Sequence, residues 1–347
     1  MKKVLIAMCA AMAVMACTKT EVVFDEPNEI AFSPVSKFET KATASGTNFT
    51  ANQNFYVFAN TVASGSDASV AYFNNILFKN TGSENLYTGD PSQYWPNEKT
   101  LKFAGVTASG NIDGNTVKAE MTTWGTMTVK GYNQPLPSAT DAKNDLMYFF
   151  DEGTDNAGYG KPANATTYVT PTMKHACSWI VVEVKLDSKL SGYWNDVKVN
   201  SVQFESLYTA GNVTLSDNQS ASWTTTSGSA NSVSIFSGST AINATTATKL
   251  ESVENNTVVI PQTPTTLAVN ITYKTPAGGE VTETIDAISL DYDGTEGNTA
   301  WAPGTKYTYT LTIGADEIKI APKSEDWTSY DADGSKDGVQ NIEQDVK

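Results

Sequence analysis

The chain has 347 residues, a net charge of −15 at pH 7, and 23 basic residues that are all lysine. Phosphate contacts need a basic face, so this composition argues against a nucleic-acid-binding protein. About 330 residues remain after the N-terminal signal described below, a length that allows two domains of ordinary size, each with its own hydrophobic core.

Residues 1–16 have the features of a secretory signal peptide. A positive start, Met1 to Lys3, is followed by an apolar run from Val4 to Ala16. The run is shorter than the roughly 20 residues that a membrane-spanning helix needs. It leads into Val-Met-Ala-Cys, which resembles a bacterial lipobox, so we predict that Cys17 is acylated. The alternative is an ordinary signal peptide in which Cys17 is incidental.

Short runs that alternate apolar and polar residues recur along the mature chain, separated by Gly, Asn, Asp and Ser clusters. Long helical periodicity is absent outside the signal, and β-branched Val and Thr are frequent. This pattern predicts an all-β fold, with turn clusters spaced as in a β-sandwich. The clearest predicted strands are Phe55–Phe58, Ile76–Phe78, Leu101–Phe103, Met127–Val129, Ile180–Leu186, Thr257–Ile260, Val269–Tyr273 and Tyr307–Ile313.

Three polar stretches suggest the organisation of the chain. Residues 151–165 are rich in Gly, Asn and Asp, and they place a predicted domain boundary near Thr170. Residues 216–248 are rich in Ser, Thr and Asn, which predicts a large surface loop holding a few weak strands such as Val233–Phe236. After Trp327 the chain is acidic and polar, which predicts a flexible tail.

Several local patterns, taken in order, resemble the fimbrillin (type V pilin) family of surface lipoproteins from Bacteroidales-type bacteria. No single pattern is specific, but the series extends from about residue 30 to residue 327. The patterns are Tyr94-Trp95-Pro96 before Leu101–Ala104, Asn144–Tyr148, Met173–Ile180, Val259–Gln262 with Tyr273, and Pro303-Gly304-Thr305 with Tyr307 and Tyr309.

The resemblance implies two transthyretin-like β-sandwich domains in tandem, export as a lipoprotein, and assembly into a fimbria that supports adhesion. The predicted ranges are a signal peptide at 1–16, a lipidated leader with a removable strand at 17–41, an N-terminal sandwich at 42–170, a C-terminal sandwich at 171–327, and an acidic flexible tail at 328–347.

The family also implies that proteolysis after a basic residue removes an N-terminal strand, whose place a neighbouring subunit's strand then takes. Strand alternation places Ile30 and Phe32 on one face, so we predict that they belong to the removable strand. Phe38–Thr43 resembles the family's cleavage segment, which predicts a cut between Lys41 and Ala42. The alternative is that Lys41 is one exposed lysine among many.

The donor strand is predicted near the C-terminus, where stalk subunits of the family carry it. Glu317–Ile320 alternates as a strand does, so Ile318 and Ile320 are the candidate donor residues. The same residues also fit the last strand of the second domain, and the sequence leaves both interpretations open.

The implied partners are other fimbrial subunits, the outer membrane through the lipid before processing, and a host or bacterial surface ligand. The implied location is the cell surface. A competing function is a glycan-binding lipoprotein of a nutrient-uptake system, which stays lipidated and monomeric. Four tryptophans could form a sugar-stacking platform, although tryptophans in β-sandwiches more often lie in the core: Trp124, Trp194, Trp223 and Trp301.

The sequence predicts neither an enzyme nor a cofactor or metal site. His175 is the only histidine, which argues against catalytic triads and His-rich metal sites. It lies two residues from Cys177, a spacing that suggests a nucleophile and its base on one strand face, but we favour a core or domain-interface pair. The Asp-rich stretches 291–294 and 331–337 lack the closing Glu of an EF-hand and are predicted to be turns.

Overall fold

The computed structural model describes residues 28–34, 54–62, 69–82, 86–108, 118–133, 146–163, 167–190, 193–225, 230–243, 246–250, 257–274, 277, 279–289, 300–314 and 318–326. The signal peptide, the predicted acylation and cleavage positions Cys17, Lys41 and Ala42, and the predicted tail lie outside the described residues. Within the described ranges, no helix is long and apolar enough to span a membrane.

The regular structure of the described residues is β-strand apart from two short 3-10 helices, Thr154–Asn156 and Ser188–Leu190, which confirms the predicted all-β fold class. Each of the most clearly predicted strands overlaps an observed one. In chain order the strands are β1 (Ala31–Phe32), β2 (Asn54–Thr61), β3 (Ala71–Asn80), β4 (Tyr87–Asp90), β5 (Leu101–Ala108), β6 (Lys118–Thr123), β7 (Thr126–Asn133), β8 (Met147–Asp151), β9 (Lys174–His175), β10 (Ser178–Leu186), β11 (Asn195–Leu207), β12 (Ala210–Ser216), β13 (Ala221–Thr225), β14 (Asn231–Ala241), β15 (Thr248–Lys249), β16 (Thr257–Val259), β17 (Thr266–Lys274), β18 (Glu280–Ser289), β19 (Thr305–Ile313) and β20 (Ile318–Asp326).

Alternating burial accounts for the strands. In β19, every second residue from Tyr307 to Ile313 is buried, because successive side chains of a strand point to opposite faces. In β14, Val233 is buried between exposed serines, and the adjacent Ile235 and Phe236 are both buried. The predicted surface loop therefore contains a strand of eleven residues that pairs with β11. The serines on the exposed face of this strand made the stretch polar in composition, although the opposite face of the strand is apolar.

The first sheet has seven strands in the order β1-β4-β3-β2-β5-β8-β9, all antiparallel to their neighbours. The sheet curls over itself. As a result, Phe32 at the β1 edge contacts rings carried by β3, β2, β5 and β8. The first hydrophobic core lies inside this curl and includes Ile30 and Phe32. Strand β1 is therefore part of a core and not only an edge.

The outer face of the first sheet packs against a four-stranded sheet of order β13-β12-β7-β6. Phe58 and Val106 of the first sheet share a second core with Val129 and Val213 of this one. Strand β12 follows the predicted domain boundary in sequence, yet it pairs antiparallel with β7. The hairpin of residues 210–225 therefore lies with the first half of the chain. The division into two domains stays a prediction.

The remaining strands form two sheets around a third core. One has the order β14-β11-β17-β18, and the other has the order β15-β10-β19-β20 with β16 also paired to β10. The β10–β19 pair is parallel, whereas the other pairs are antiparallel. In this core the Trp301 indole N–H donates to the Tyr309 hydroxyl at 2.8 Å, and both rings pack edge-on to Phe204. The tandem transthyretin-like arrangement stays a prediction.

Candidate functional site

Residues 28–34, which we call the N-terminal segment, form one border of the first sheet. On one side the segment pairs antiparallel with β4 and with the turn that follows β4. The Ile30 N–H donates to the Gln93 carbonyl at 2.7 Å, and the Trp95 N–H donates to the Asn28 carbonyl at 2.9 Å. This side forms one wall of the site.

The other side of the segment is hydrogen-bonded as well. The Val169 N–H donates to the Ala31 carbonyl at 3.0 Å, and the Ser33 N–H donates to the Val169 carbonyl at 2.8 Å. The Asn28 side-chain amide donates to the Pro162 carbonyl at 2.8 Å. The backbone groups of successive residues in a strand point to opposite sides, so the segment is held between two walls. We call the space between these walls the slot.

The Phe32 ring fills a pocket of four phenylalanine rings, which we call the aromatic box. Its centroid lies 4.9 Å from that of Phe78, 5.2 Å from Phe103, 5.8 Å from Phe55 and 6.1 Å from Phe149. The first three contacts are edge-to-face, the arrangement that the ring quadrupole favours. Phe32 itself has no exposed surface.

One glycine makes room for the box. Gly105 of β5 lies opposite Phe149 of β8 in the antiparallel pair. A Cβ at position 105 would lie 2.3 Å from a ring carbon of Phe149 and 3.0 Å from the Tyr56 carbonyl oxygen. A side chain at position 105 would therefore displace Phe149, the box ring on β8.

A second buried side chain anchors the segment. Ile30 has no exposed surface and points to the same face as Phe32. Ala31 lies between them on the opposite face and is 8% exposed, so that face is covered as well. Tyr94 of one wall and Tyr168, next to the residue that forms the other wall, are exposed at the rim. The slot therefore holds a large, a small and a large residue in succession.

The slot favours neutral groups. Tyr87 of β4 is paired with Phe32 and has no exposed surface. Burial raises the pKa of Tyr87 to about 12, and a hydrogen bond with Asn80 offsets this only in part. A charged side chain that faced this core would lose its hydration without compensation.

Ile318 and Ile320, the candidate donor residues, lie in β20 at the edge of a sheet in the second half. β20 pairs with β19 along its whole length, from Ile318 opposite Ile313 to Asp326 opposite Thr305. Ile320 is buried in the third core, and Ile318 packs against that core. A donor role therefore requires these residues to leave their own sheet, and it stays a prediction.

His175 and Cys177 are both buried, but they do not share one strand. β9 ends at His175 and β10 begins at Ser178, so the strand alternation that suggested a shared face does not apply. The Cys177 thiol lies 3.8 Å from the Tyr132 hydroxyl in the second core. In the described part of the chain, no group of His, Cys, Asp or Glu side chains is arranged to hold a metal ion. Residues 291–294 and 331–337 lie outside the described residues.

The four tryptophans do not form one platform. Trp124 and Trp223 pack against the second core, Trp194 packs against the third, and Trp301 lies within the third. Trp194 stacks on Tyr273 with ring centroids 3.9 Å apart. The core interpretation of these residues therefore fits the structure better than the sugar-platform interpretation.

The sequence did not predict the second wall or the aromatic box. Val169 lies far from Phe32 along the chain, and no local pattern links the two positions. The inward phenylalanines did give a signal, because Phe55, Phe78 and Phe103 each fall in a predicted strand. Which rings meet Phe32 depends on the curl of the sheet.

The chain is similar to known proteins in both sequence and structure. The model of the fimbrillin-like family matches residues 40–327. A fimbrial protein from Bacteroides vulgatus has a similar structure, with 17% identity over 86% of this chain and 100% of that chain, and a TM-score of 0.58. Proteins with a suggested cell-adhesion role from Bacteroides uniformis (17% identity, 86% and 99% coverage, TM-score 0.45) and Bacteroides ovatus (16%, 88% and 99%, 0.48) are more distant. Only the first score supports a shared fold. No curated protein matches the chain.

Proposed function

Because the chain belongs to the fimbrillin-like family, we propose that it is a structural subunit of a cell-surface fimbria that assembles by exchange of the N-terminal segment. Membership of this family implies a fimbrial, non-enzymatic role at the cell surface in company with other fimbrial subunits. The finer proposal is that each subunit loses the segment and receives a strand from its neighbour in the same slot.

The burial of the N-terminal segment carries this proposal. Ile30 and Phe32 have no exposed surface, and the segment is hydrogen-bonded on both sides. Its loss would leave an apolar trench lined by unpaired backbone groups. Unpaired N–H and C=O groups at a sheet edge are a template for another strand. Reburial of a side chain the size of Phe or Ile contributes about 1.5–3 kcal/mol.

The proposed processing begins with export and acylation of Cys17. A protease then cuts between Lys41 and Ala42, which separates the lipid and the N-terminal segment from the rest of the subunit. The candidate donor is the strand that contains Ile318 and Ile320. The assembled fimbria supports adhesion to a host or bacterial surface ligand.

A gel assay with a matched control tests the proposal. Surface-sheared protein is run without heating and after boiling, and its N-terminus is determined by mass spectrometry. We expect a ladder that collapses on boiling, with Ala42 as the first residue. Lys41→Ala abolishes the ladder, whereas Lys37→Ala leaves it intact.

Two results would contradict the proposal. An assembled polymer whose subunits begin upstream of Lys41 would exclude the predicted cleavage. A chain that stays monomeric and lipidated under all conditions would favour the glycan-binding alternative, and a glycan array would then test that function directly.

A further inference from the structure

We propose that Phe32 acts as a lock: the aromatic box makes the slot prefer the chain's own N-terminal segment to the competing strand of a second copy, so that the precursor stays closed until the segment is removed. This inference rests on the proposed function. It concerns which strand occupies the slot before and after the N-terminal segment is removed.

The competing strand is identified by an internal repeat. Residues 28–34 read Asn-Glu-Ile-Ala-Phe-Ser-Pro, and residues 316–322 read Asp-Glu-Ile-Lys-Ile-Ala-Pro. The two heptapeptides share Glu, Ile and Pro at the same positions, with Asn or Asp at the first position and Ser or Ala at the sixth. A second copy of this chain therefore offers a segment with the same pattern as the one in the slot.

One difference between the two heptapeptides falls at the position whose side chain fills the aromatic box. Phe32 corresponds to Ile320, and the ring that fills the aromatic box would be replaced by a smaller aliphatic group. Such a replacement forfeits the edge-to-face contacts of Phe32 and leaves part of the box empty. The walls cannot readily close on the space, because the four rings come from four different strands.

The residue between the two buried positions also favours the N-terminal segment over the competing heptapeptide. Ala31 is 8% exposed, and its carbonyl is bound by Val169. Lys319 takes this position in the competing heptapeptide. Its long charged side chain would have to displace the neighbouring atoms that bury Ala31. Both differences weaken the competitor and leave its backbone pairing unchanged.

Backbone pairing explains why the competitor can still replace the segment once that segment is lost. Among the described residues, β20 is an edge strand of its own sheet and pairs with β19. In the slot, a strand is hydrogen-bonded on both sides. An empty slot presents unpaired backbone groups on both walls to an incoming strand, so it accepts the heptapeptide that an occupied slot rejects.

Four labelled peptides test the lock on the full chain. The chain carries Ile30→Asp and Phe32→Asp, which prevent its own segment from filling the slot. The peptides have the sequences of residues 28–34 and 316–322, each with either Phe or Ile at the fifth position, and binding is measured by fluorescence anisotropy. We expect each Phe peptide to bind roughly tenfold or more tightly than its Ile counterpart. Affinities of the paired peptides within threefold of each other would overturn the lock and leave strand exchange itself intact.

Failure of all four peptides to bind would count against strand exchange. A second measurement then tests the role of Phe32 without any peptide. Hydrogen exchange of the Val169 amide is compared in full chains that carry Phe32→Ile or Phe32→Tyr. We expect exchange roughly tenfold or more faster in Phe32→Ile than in Phe32→Tyr, because only the aromatic side chain preserves the ring contacts. Equal exchange rates would overturn the lock.

Discussion

Truncation of Phe32 to Ala should destabilise the first half of the chain strongly. The side chain has no exposed surface, and its ring is surrounded by the four rings of the aromatic box at 4.9–6.1 Å. Buried Phe→Ala changes cost about 3–5 kcal/mol, with larger losses where the cavity cannot collapse. The box rings come from four strands, so we expect a value near the upper end of that range, about 4–5 kcal/mol.

Urea unfolding followed by tryptophan fluorescence measures this change. Trp95 contacts the box residue Phe103 edge-to-face, with ring centroids 5.7 Å apart, so its emission reports on this core. The matched control is Tyr193→Ala, which removes a ring that is 66% exposed and should change the free energy of unfolding by no more than about 0.5 kcal/mol.

A small effect would refute the reasoning. If Phe32→Ala lowered the free energy of unfolding by less than about 1 kcal/mol, the N-terminal segment would not be an integral part of the core. The slot would then have no need of a replacement strand, and the proposed assembly would lose its driving force.

Three further predictions test the packing on the two faces of the first sheet. Gly105→Ala should lower the free energy of unfolding by about 1–3 kcal/mol in urea titrations, because its Cβ would lie 2.3 Å from a ring of the box. Burial raises the pKa of Tyr87 and of Tyr148 from 10.0 to about 12. The stability that these neutral phenols provide is therefore complete below pH 10 and is lost as the pH rises through 12. Urea unfolding midpoints measured from pH 9 to pH 12 should fall less steeply with pH in the Tyr148→Phe variant than in the unmodified chain. Trp124→Phe removes the hydrogen bond that the indole N–H donates to Glu152 at 2.7 Å, which should cost about 1–2 kcal/mol in the same titration.

The sequence predicted strands but not the pairing between them. Phe55, Phe103 and Tyr307 lie in strands that alternation alone identified, because side-chain direction follows directly from strand geometry. Strand β12 of the hairpin of residues 210–225 pairs with β7, which lies some 80 residues earlier in the chain. Pairing between distant strands depends on how whole sheets pack, and a single sequence carries no local signal for it.

The candidate site shows the same division. Alternation in the sequence was enough to place Ile30 and Phe32 on one face of a short strand. The aromatic box and the Val169 wall required the curl of the first sheet, which brings strands β2, β3, β5 and β8 around one ring.

The sequence by itself determined the all-β class, the export signal pattern and the family resemblance, because these depend on local periodicity and on motifs in order. Tertiary structure alone decided that the N-terminal segment lies between two walls and that Phe32 fills a box. The physical reason is that burial and hydrogen bonding are properties of a packed assembly of strands, whereas a strand's own sequence specifies only which of its faces is apolar.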